Sequence, residues 1–374
     1  MAPVVLALKS SSQVESKVCV TAQHREMLDQ VLNIFGIVPD IDLNLMRPDQ
    51  SLASLTAAIF SRLDPVLEEQ KPDWVLVQGD TTTVMATALA CFYRRIRVGH
   101  VEAGLRTNDK WQPFPEEINR RVAGVVADLH FAPTKWARQN LLRENVPDDH
   151  IVLTGNTVID ALHFVAGLPE TLEVDALLKK VGLPVKSSEI TTINRPAPGG
   201  LFPKLVLVTA HRRENFGTPL EHICDALRFL AETYADAVRI VYPVHLNPNV
   251  REPVYARLAR IPNIILLPPL DYLPMVHLLK RARLVLTDSG GLQEEAPSLG
   301  VPVLVLREVT ERPEGVEAGT VRLVGTNYDT IVSETRCLLD DDNIHRSMAQ
   351  AINPYGDGKA AGRIVQALLK ERAF

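Results

Sequence analysis

Short apolar runs alternate along this chain with longer stretches in which apolar residues recur at helical spacing. The first runs predict strands at 17–21, 74–78, 98–101, 129–132 and 151–153. The patterns between them predict helices at 24–35, 51–69, 83–93, 116–127 and 135–144. A second series begins near Lys204, with strands at 204–209, 239–242, 264–267, 284–287 and 303–306. Its helices fall at 220–234, 249–258, 275–281 and 292–299. Alternation of this kind builds βαβ units on a parallel sheet, so an α/β fold of two doubly wound halves is expected. The segment 184–203, PVKSSEITTINRPAPGGLFP, reads as a loop. The first domain is placed at 1–165 and the second at 166–355. A last helix within 356–374 follows Pro-Tyr-Gly-Asp-Gly and is expected to pack back on the first domain. The opening residues, Met1-Ala2-Pro3-Val4-Val5-Leu6-Ala7-Leu8, read as helix with no strand before it.

At 374 residues the chain is long for one core, which agrees with two domains. Its 46% apolar and 23% charged residues are the balance of a soluble globular protein. A net charge of −5 argues against a general nucleic-acid or membrane-surface binder. Basic contacts are then local and suit a small anionic ligand. Cys19, Cys91, Cys224 and Cys337 are scattered with no C-x-x-C, so no zinc site or disulfide framework is expected. A reduced, cytoplasmic setting fits this usage. No apolar stretch approaches the ~20 residues of a membrane span, and no signal-peptide pattern opens the chain.

In parallel α/β sheets ligands bind at the carboxyl ends of strands, and several polar clusters fall there. Asp80, in QGDTTT (78–83), reads equally as a helix N-cap or as a catalytic carboxylate. Glu102, in HVEAGLRT (100–107), lies close to a glycine that permits near backbone approach; a solvated Glu102–Arg106 pair is the bland alternative. Glu116 opens a helix after PFP, and capping plus a Glu116–Arg120 ion pair explains that segment without function. HRREN (211–215) groups cations at a strand end; alone it reads as a solvated basic loop. Ser289-Gly290-Gly291 forms a strand–turn–helix junction that bares backbone N–H groups where phosphate is favoured, although it is no Walker loop. Arg312, after the next strand, adds a cation at the same rim. Jointly, carboxylates on the first half and an anion site on the second suit a diphosphate-linked sugar, held across an interdomain cleft.

HVEAGLRT (100–107), PFPEEINRR (113–121), HRREN (211–215), DSGGLQEEAPSLG (288–300) and ERPEGVEAGT (311–320) together resemble the bacterial non-hydrolysing UDP-N-acetylglucosamine 2-epimerases. TAQHREMLDQ (21–30) and QGDTTT (78–83) extend the match over nearly the whole chain. The resemblance implies two Rossmann-like domains in a GT-B-like arrangement and reversible conversion of UDP-GlcNAc to UDP-ManNAc, with no cofactor, metal or nicotinamide. It implies elimination of UDP to 2-acetamidoglucal followed by re-addition. Asp80, Glu102 and Glu116 become the acid–base set, with their faces of C2 unassigned, and His211 assists at the diphosphate. Arg212, Asn215, Ser289, Gly290, Gly291 and Arg312 become substrate-binding, and Glu295 a ribose ligand. Gln23, His24 and His245 would hold a second UDP-GlcNAc as activator; a helix-facing Gln and a core His are the plain alternatives. A homodimer and a role in cell-envelope polysaccharide synthesis follow from the same resemblance.

The family pattern begins with a strand and G-T-R-P-E-x-I-K ahead of the Met-Ala-Pro that is Met1-Ala2-Pro3 here. On the sequence alone that strand and turn are expected to be missing, from a wrongly chosen start Met, and the chain as given is expected to be poorly soluble or inactive. Competing readings are a hydrolysing 2-epimerase, an epimerase for a diacetamido uronate sugar, an inert nucleotide-sugar binding protein and a GT-B glycosyltransferase.

Overall fold

The structure, a computed structural model, describes residues 1–21, 25–45, 47, 50–185 and 202–371. In chain order the first elements are α1 (Ala2–Lys9), β1 (Cys19–Val20), α2 (Arg25–Ile34), β2 (Ile41–Asp42), α3 (Leu52–Gln70), β3 (Trp74–Gln78) and α4 (Thr82–Tyr93). Then come β4 (Arg97–Val101), α5 (Glu116–Val126), β5 (Leu129–Ala132), α6 (Lys135–Arg143), β6 (Ile151–Leu153), α7 (Thr157–Gly167) and α8 (Leu172–Lys180). Next are β7 (Lys204–Thr209), α9 (Thr218–Tyr234), β8 (Val238–Pro243), α10 (Pro248–Leu258), β9 (Ile264–Leu267), α11 (Tyr272–Leu279), β10 (Ala282–Thr287) and α12 (Gly290–Ser298). The last are β11 (Val303–Val305), α13 (Pro313–Glu317), β12 (Val321–Leu323), α14 (Tyr328–Asp340), α15 (Asp342–Ala349) and α16 (Ala360–Lys370). Two compact units result: Met1–Ala161 with Tyr355–Phe374, and Leu162–Pro354. The sequence-based boundary at 165/166 lies a few residues further on, within α7, a helix that runs through the division.

In the first unit β3, β4, β5 and β6 form a parallel sheet in that order, and β1 and β2 form a separate parallel pair. Thr81 and Thr134 cap α4 and α6 by accepting from Val84 N–H and Ala137 N–H, which fixes where those helices start. One core joins Leu55, Ile59 and Leu63 of α3 to Val77, Val84, Ala88 and Val98. Another joins Val4 of α1 to Val101, Leu129 and Phe131 and to Ile364 and Leu368 of α16.

The second unit is a six-stranded parallel sheet in the order β12-β11-β10-β7-β8-β9. The chain builds outward from β7 to β9, returns to β10 beside β7, and builds outward again to β12. The strand order therefore reverses between β7 and β10, where such sheets bind ligands at their carboxyl ends. Leu207, Val241, Val285 and Val303 line one core, and Val206, Ile240, Leu284 and Leu304 line the other, so this sheet is covered on both faces.

Three local readings from sequence are corrected. Thr81, not Asp80, caps α4, which leaves the Asp80 carboxylate for other partners. Arg120 pairs with Asp80 and Glu117, not with Glu116. Arg106 pairs with Glu144 at 2.7 Å with its side chain buried, so no solvated Glu102–Arg106 pair forms.

Gly104 holds the turn after β4 at a φ of +88°, and a Cβ there would lie 2.2 Å from the Ala137 carbonyl oxygen. Backbone cannot yield as a side-chain tip can, so strain and clash add. Gly104→Ala is predicted to destabilise the fold by about 2–4 kcal/mol and lower the Tm by roughly 5–10 °C in calorimetry. An unchanged melt would contradict this packing.

Candidate active site

In the first unit Gln78 of β3 pairs in register with Val101 of β4, and Gly79 N–H donates to the Val101 carbonyl at 3.0 Å. Asp80 and Glu102 therefore leave two adjacent strands at the same carboxyl end. A Cβ on Gly79 would sit 3.8 Å from Glu102 Oε2, so Glu102 lies directly over the turn that carries Asp80. Gln78 Nε2 donates to Glu102 Oε2 at 3.2 Å. Glu102 has a φ of +62°, an uncommon conformation for a residue with a side chain. Holding a carboxylate there is a local cost that the turn's partners offset.

His100 of β4 lies beneath this turn, buried, with Nε2 2.8 Å from the Gly79 carbonyl oxygen. Burial lowers its pKa to about 4, so it is neutral at working pH; the carbonyl can only accept, so Nε2 carries the proton. His100 thus shapes the Gly79 turn.

Glu116 is the first residue of α5 and is half-buried. No side-chain hydrogen bond or ion pair engages it among the described residues. Its neighbour Glu117 is fully buried, accepts from Thr107 N–H at 3.1 Å and Asn108 N–H at 3.2 Å, and pairs with Arg121 at 3.1 Å. Arg120 lies on the Glu116 face of α5, one turn on, and reaches both Glu117 and Asp80. Glu117 and Arg120 therefore tie the loop after Glu102 and the Asp80 turn to the first turn of α5. Asp80, Glu102 and Glu116 are brought together at one end of this unit. Glu117 was not singled out from sequence, and Arg120 was read only as a partner of Glu116; the i,i+3 spacing of Glu117 and Arg120 was the available signal.

In the second unit Thr209 of β7 pairs with Thr287 of β10, and their hydroxyls meet at 2.6 Å. The next residues form the site. Asp288 is fully buried and accepts from His211 N–H at 2.7 Å, Arg212 N–H at 2.8 Å and Asn215 Nδ2 at 3.0 Å. Its other oxygen is 3.2 Å from His211 Nδ1. Burial alone would raise this carboxyl; the His211 and backbone N–H donors outweigh it and hold it below its ordinary value. The segment at 211–215 is thus an ordered loop built on Asp288, not a solvated basic one. With Nδ1 turned to Asp288, His211 presents Nε2 outward. His245, after β8, stacks on His211 with centroids 5.6 Å apart.

Ser289 precedes α12, and Gly290 and Gly291 are its first residues. Their N–H groups have no intrahelical acceptor and, with the helix dipole, favour an anion. A Cβ on Gly290 would stand 3.1 Å from Glu311 Oε1 and 3.2 Å from Arg312 Cζ, so the guanidinium packs over this turn. Arg312 is itself paired with Glu294 at 2.5 Å, and Arg307 with Glu214 at 2.7 Å. Arg212 contacts Glu311 more loosely, at 3.4 Å. Glu295, further along α12, accepts from Tyr272 at 2.8 Å.

His211, Arg212, Ser289, Gly290, Gly291 and Arg312 are gathered at the strand-order reversal. Asn215 is turned inward, its amide committed to Asp288 and, at 3.2 Å, to the Leu306 carbonyl. Gln23 and His24 lie outside the described residues. Asp288 and Tyr272 were missed from sequence, because an Asp at a strand end and a Tyr at a helix start are each commonplace. Among the described residues no group of three or more His, Cys, Asp or Glu is placed to hold a metal, and no helix is long and apolar enough to cross a membrane.

A family model described as UDP-N-acetylglucosamine 2-epimerase matches residues 6–369. The UDP-N-acetylglucosamine 2-epimerase of Escherichia coli K12 is 56% identical over 372 residues, covering 100% of this chain and 95% of its own. That of Salmonella typhimurium is 55% identical over 372 residues, with the same coverage of 100% and 95%. The crystal structure of UDP-GlcNAc 2-epimerase from Neisseria meningitidis bound to UDP-GlcNAc superposes with a TM-score of 0.83 at 48% identity, covering 99% of this chain and 96% of that one. The two-domain α/β fold is GT-B-like, and the chain belongs to the UDP-N-acetylglucosamine 2-epimerase family.

Proposed function

We propose that this chain interconverts UDP-GlcNAc and UDP-ManNAc at C2 without hydrolysis. The observation that carries the reading is the grouping of Asp80, Glu102 and Glu116 at one sheet end of the first unit, in a chain whose second unit builds an anion site at its switch point. The substrate's C2 proton is weakly acidic, so departure of UDP from C1 shares the barrier. One carboxylate removes the C2 proton as the C1–O bond breaks, giving 2-acetamidoglucal and UDP. A carboxylate on the other side returns a proton to the opposite face of C2, and the UDP oxygen re-adds at C1.

The residue types answer the needs of each step. Two faces require two proton-transfer groups, and neighbouring carboxylates raise one another's affinity for a proton. Arg120 pairs with Asp80, while no cation pairs with Glu116 among the described residues, so the carboxylates of the set differ in their surroundings. His211 directs Nε2 to the diphosphate or leaving oxygen, with Asp288 supporting positive charge on the ring. The N–H groups of Gly290 and Gly291 hold phosphate, and Arg212 and Arg312 supply cationic edges. The Neisseria meningitidis relative's bound UDP-GlcNAc supports this choice of ligand. A second UDP-GlcNAc as activator, a homodimer and a cytoplasmic setting rest on the family resemblance.

Incubation with UDP-GlcNAc in D2O is predicted to place deuterium at C2 in both the gluco and the manno nucleotide, read by NMR. Free UDP and ManNAc accumulating with turnover would overturn the non-hydrolysing reading. Glu102→Gln is predicted to lower kcat by about 10²–10⁴-fold while UDP affinity, read by calorimetry, stays within about threefold of wild type. Equal losses in both quantities would remove Glu102 from proton transfer.

A further inference from the structure

Tyr272 opens α11 and donates its hydroxyl to Glu295 Oε1 at 2.8 Å. This is the one hydrogen bond to the Glu295 carboxyl among the described residues, and it leaves Oε2 for another donor. Glu295 stands four residues after Gly291 in α12. It therefore lies on the same helix face, about 6 Å further along the axis. A nucleoside diphosphate has this spacing: the ribose diol follows the phosphates by one C5′ linkage. A carboxylate at that point accepts from both diol hydroxyls.

Resting on the assignment of Glu295 to the ribose, we propose that Tyr272 is a positioning residue that makes the site select ribo- over 2′-deoxyribonucleotide sugars. One oxygen of Glu295 is anchored on the phenol, so the carboxylate plane is fixed before substrate arrives. The freed oxygen then meets the 2′-hydroxyl in a set direction, and a deoxyribose leaves it unpaired. Discrimination by an unsatisfied polar group is steeper than discrimination by fit.

The local electrostatics support this. Burial raises the Glu295 carboxyl to about 7, Glu294 adds to the rise, and the Tyr272 hydroxyl opposes both. Burial and the adjacent carboxylate hold the Tyr272 hydroxyl far above its ordinary pKa, so it remains a donor. The ionised form that accepts both diol hydroxyls therefore grows in as pH rises through about 7, and the phenol favours it.

The test compares UDP-GlcNAc with 2′-deoxy-UDP-GlcNAc on wild type, Tyr272→Phe and Glu295→Gln. Tyr272→Phe is expected to raise KM for UDP-GlcNAc roughly five- to tenfold, with kcat within about twofold of wild type and a clearly smaller rise in the deoxy KM, since only the 3′-hydroxyl contact is then weakened. The rise of UDP-GlcNAc affinity with pH is expected to move to higher pH, since the carboxylate has lost its donor. Equal KM increases for the two substrates would reduce Tyr272 to packing and overturn the proposal, as would a variant indistinguishable from wild type. If Glu295→Gln leaves the ribo-to-deoxyribo preference intact, the ribose assignment itself fails, an outcome separable from failure of Tyr272 alone.

Discussion

Asp288 is the residue around which the second unit's candidate site is built. It is a fully buried carboxylate with two backbone N–H donors, one side-chain amide and one imidazole around it. A bare carboxylate buried there would be costly by several kcal/mol, so the donors are obligatory rather than decorative. Three of those four belong to residues 211 and 212, and the fourth to Asn215. Satisfying one charge thus shapes the whole loop after β7 and sets the imidazole's orientation. The folded-state pKa of Asp288 is depressed, so its stabilisation is present above the ordinary carboxylate range and is lost as pH falls through the folded value.

The first unit solves a related problem with a buried carboxylate of its own. Glu117 gathers the loop after Glu102 through Thr107 and Asn108, and Arg120 carries that anchor across to Asp80. In each unit a buried carboxylate thus holds the polar residues of the candidate site in place. Burial falls on Glu117 and His100, while Asp80, Glu102 and Glu116 are only partly buried.

Much of the architecture is legible in sequence because the strands are continuous apolar runs. The predicted run at 98–101 lies within β4 (Arg97–Val101), and the predicted 204–209 coincides with β7. β2 and β12 escape because two or three residues carry no period. α14 and α15 escape because acidic and hydroxyl residues interrupt the apolar spacing of Ile331, Leu338 and Met348. The candidate site is legible as motifs but not as bonding. HRREN reads as a basic loop until Asp288 is seen to hold it. Asp80 reads as a cap until Thr81 is seen to take that role and Arg120 to claim the carboxylate. Asn215, legible only as polar, turns out to be internal scaffolding. Such contacts join residues about seventy or more positions apart in the Asp288 case, and local pattern carries no trace of them.

The central claim is that Asp288 fixes the His211 ring with Nδ1 protonated and Nε2 directed outward. Nitrogen-15 NMR of the histidine-labelled protein, with His211→Gln used to assign the signal, reads the tautomer directly. The account predicts a His211 ring that, when neutral, bears its proton on Nδ1. A neutral His211 protonated on Nε2, with Nδ1 bare toward Asp288, would contradict it.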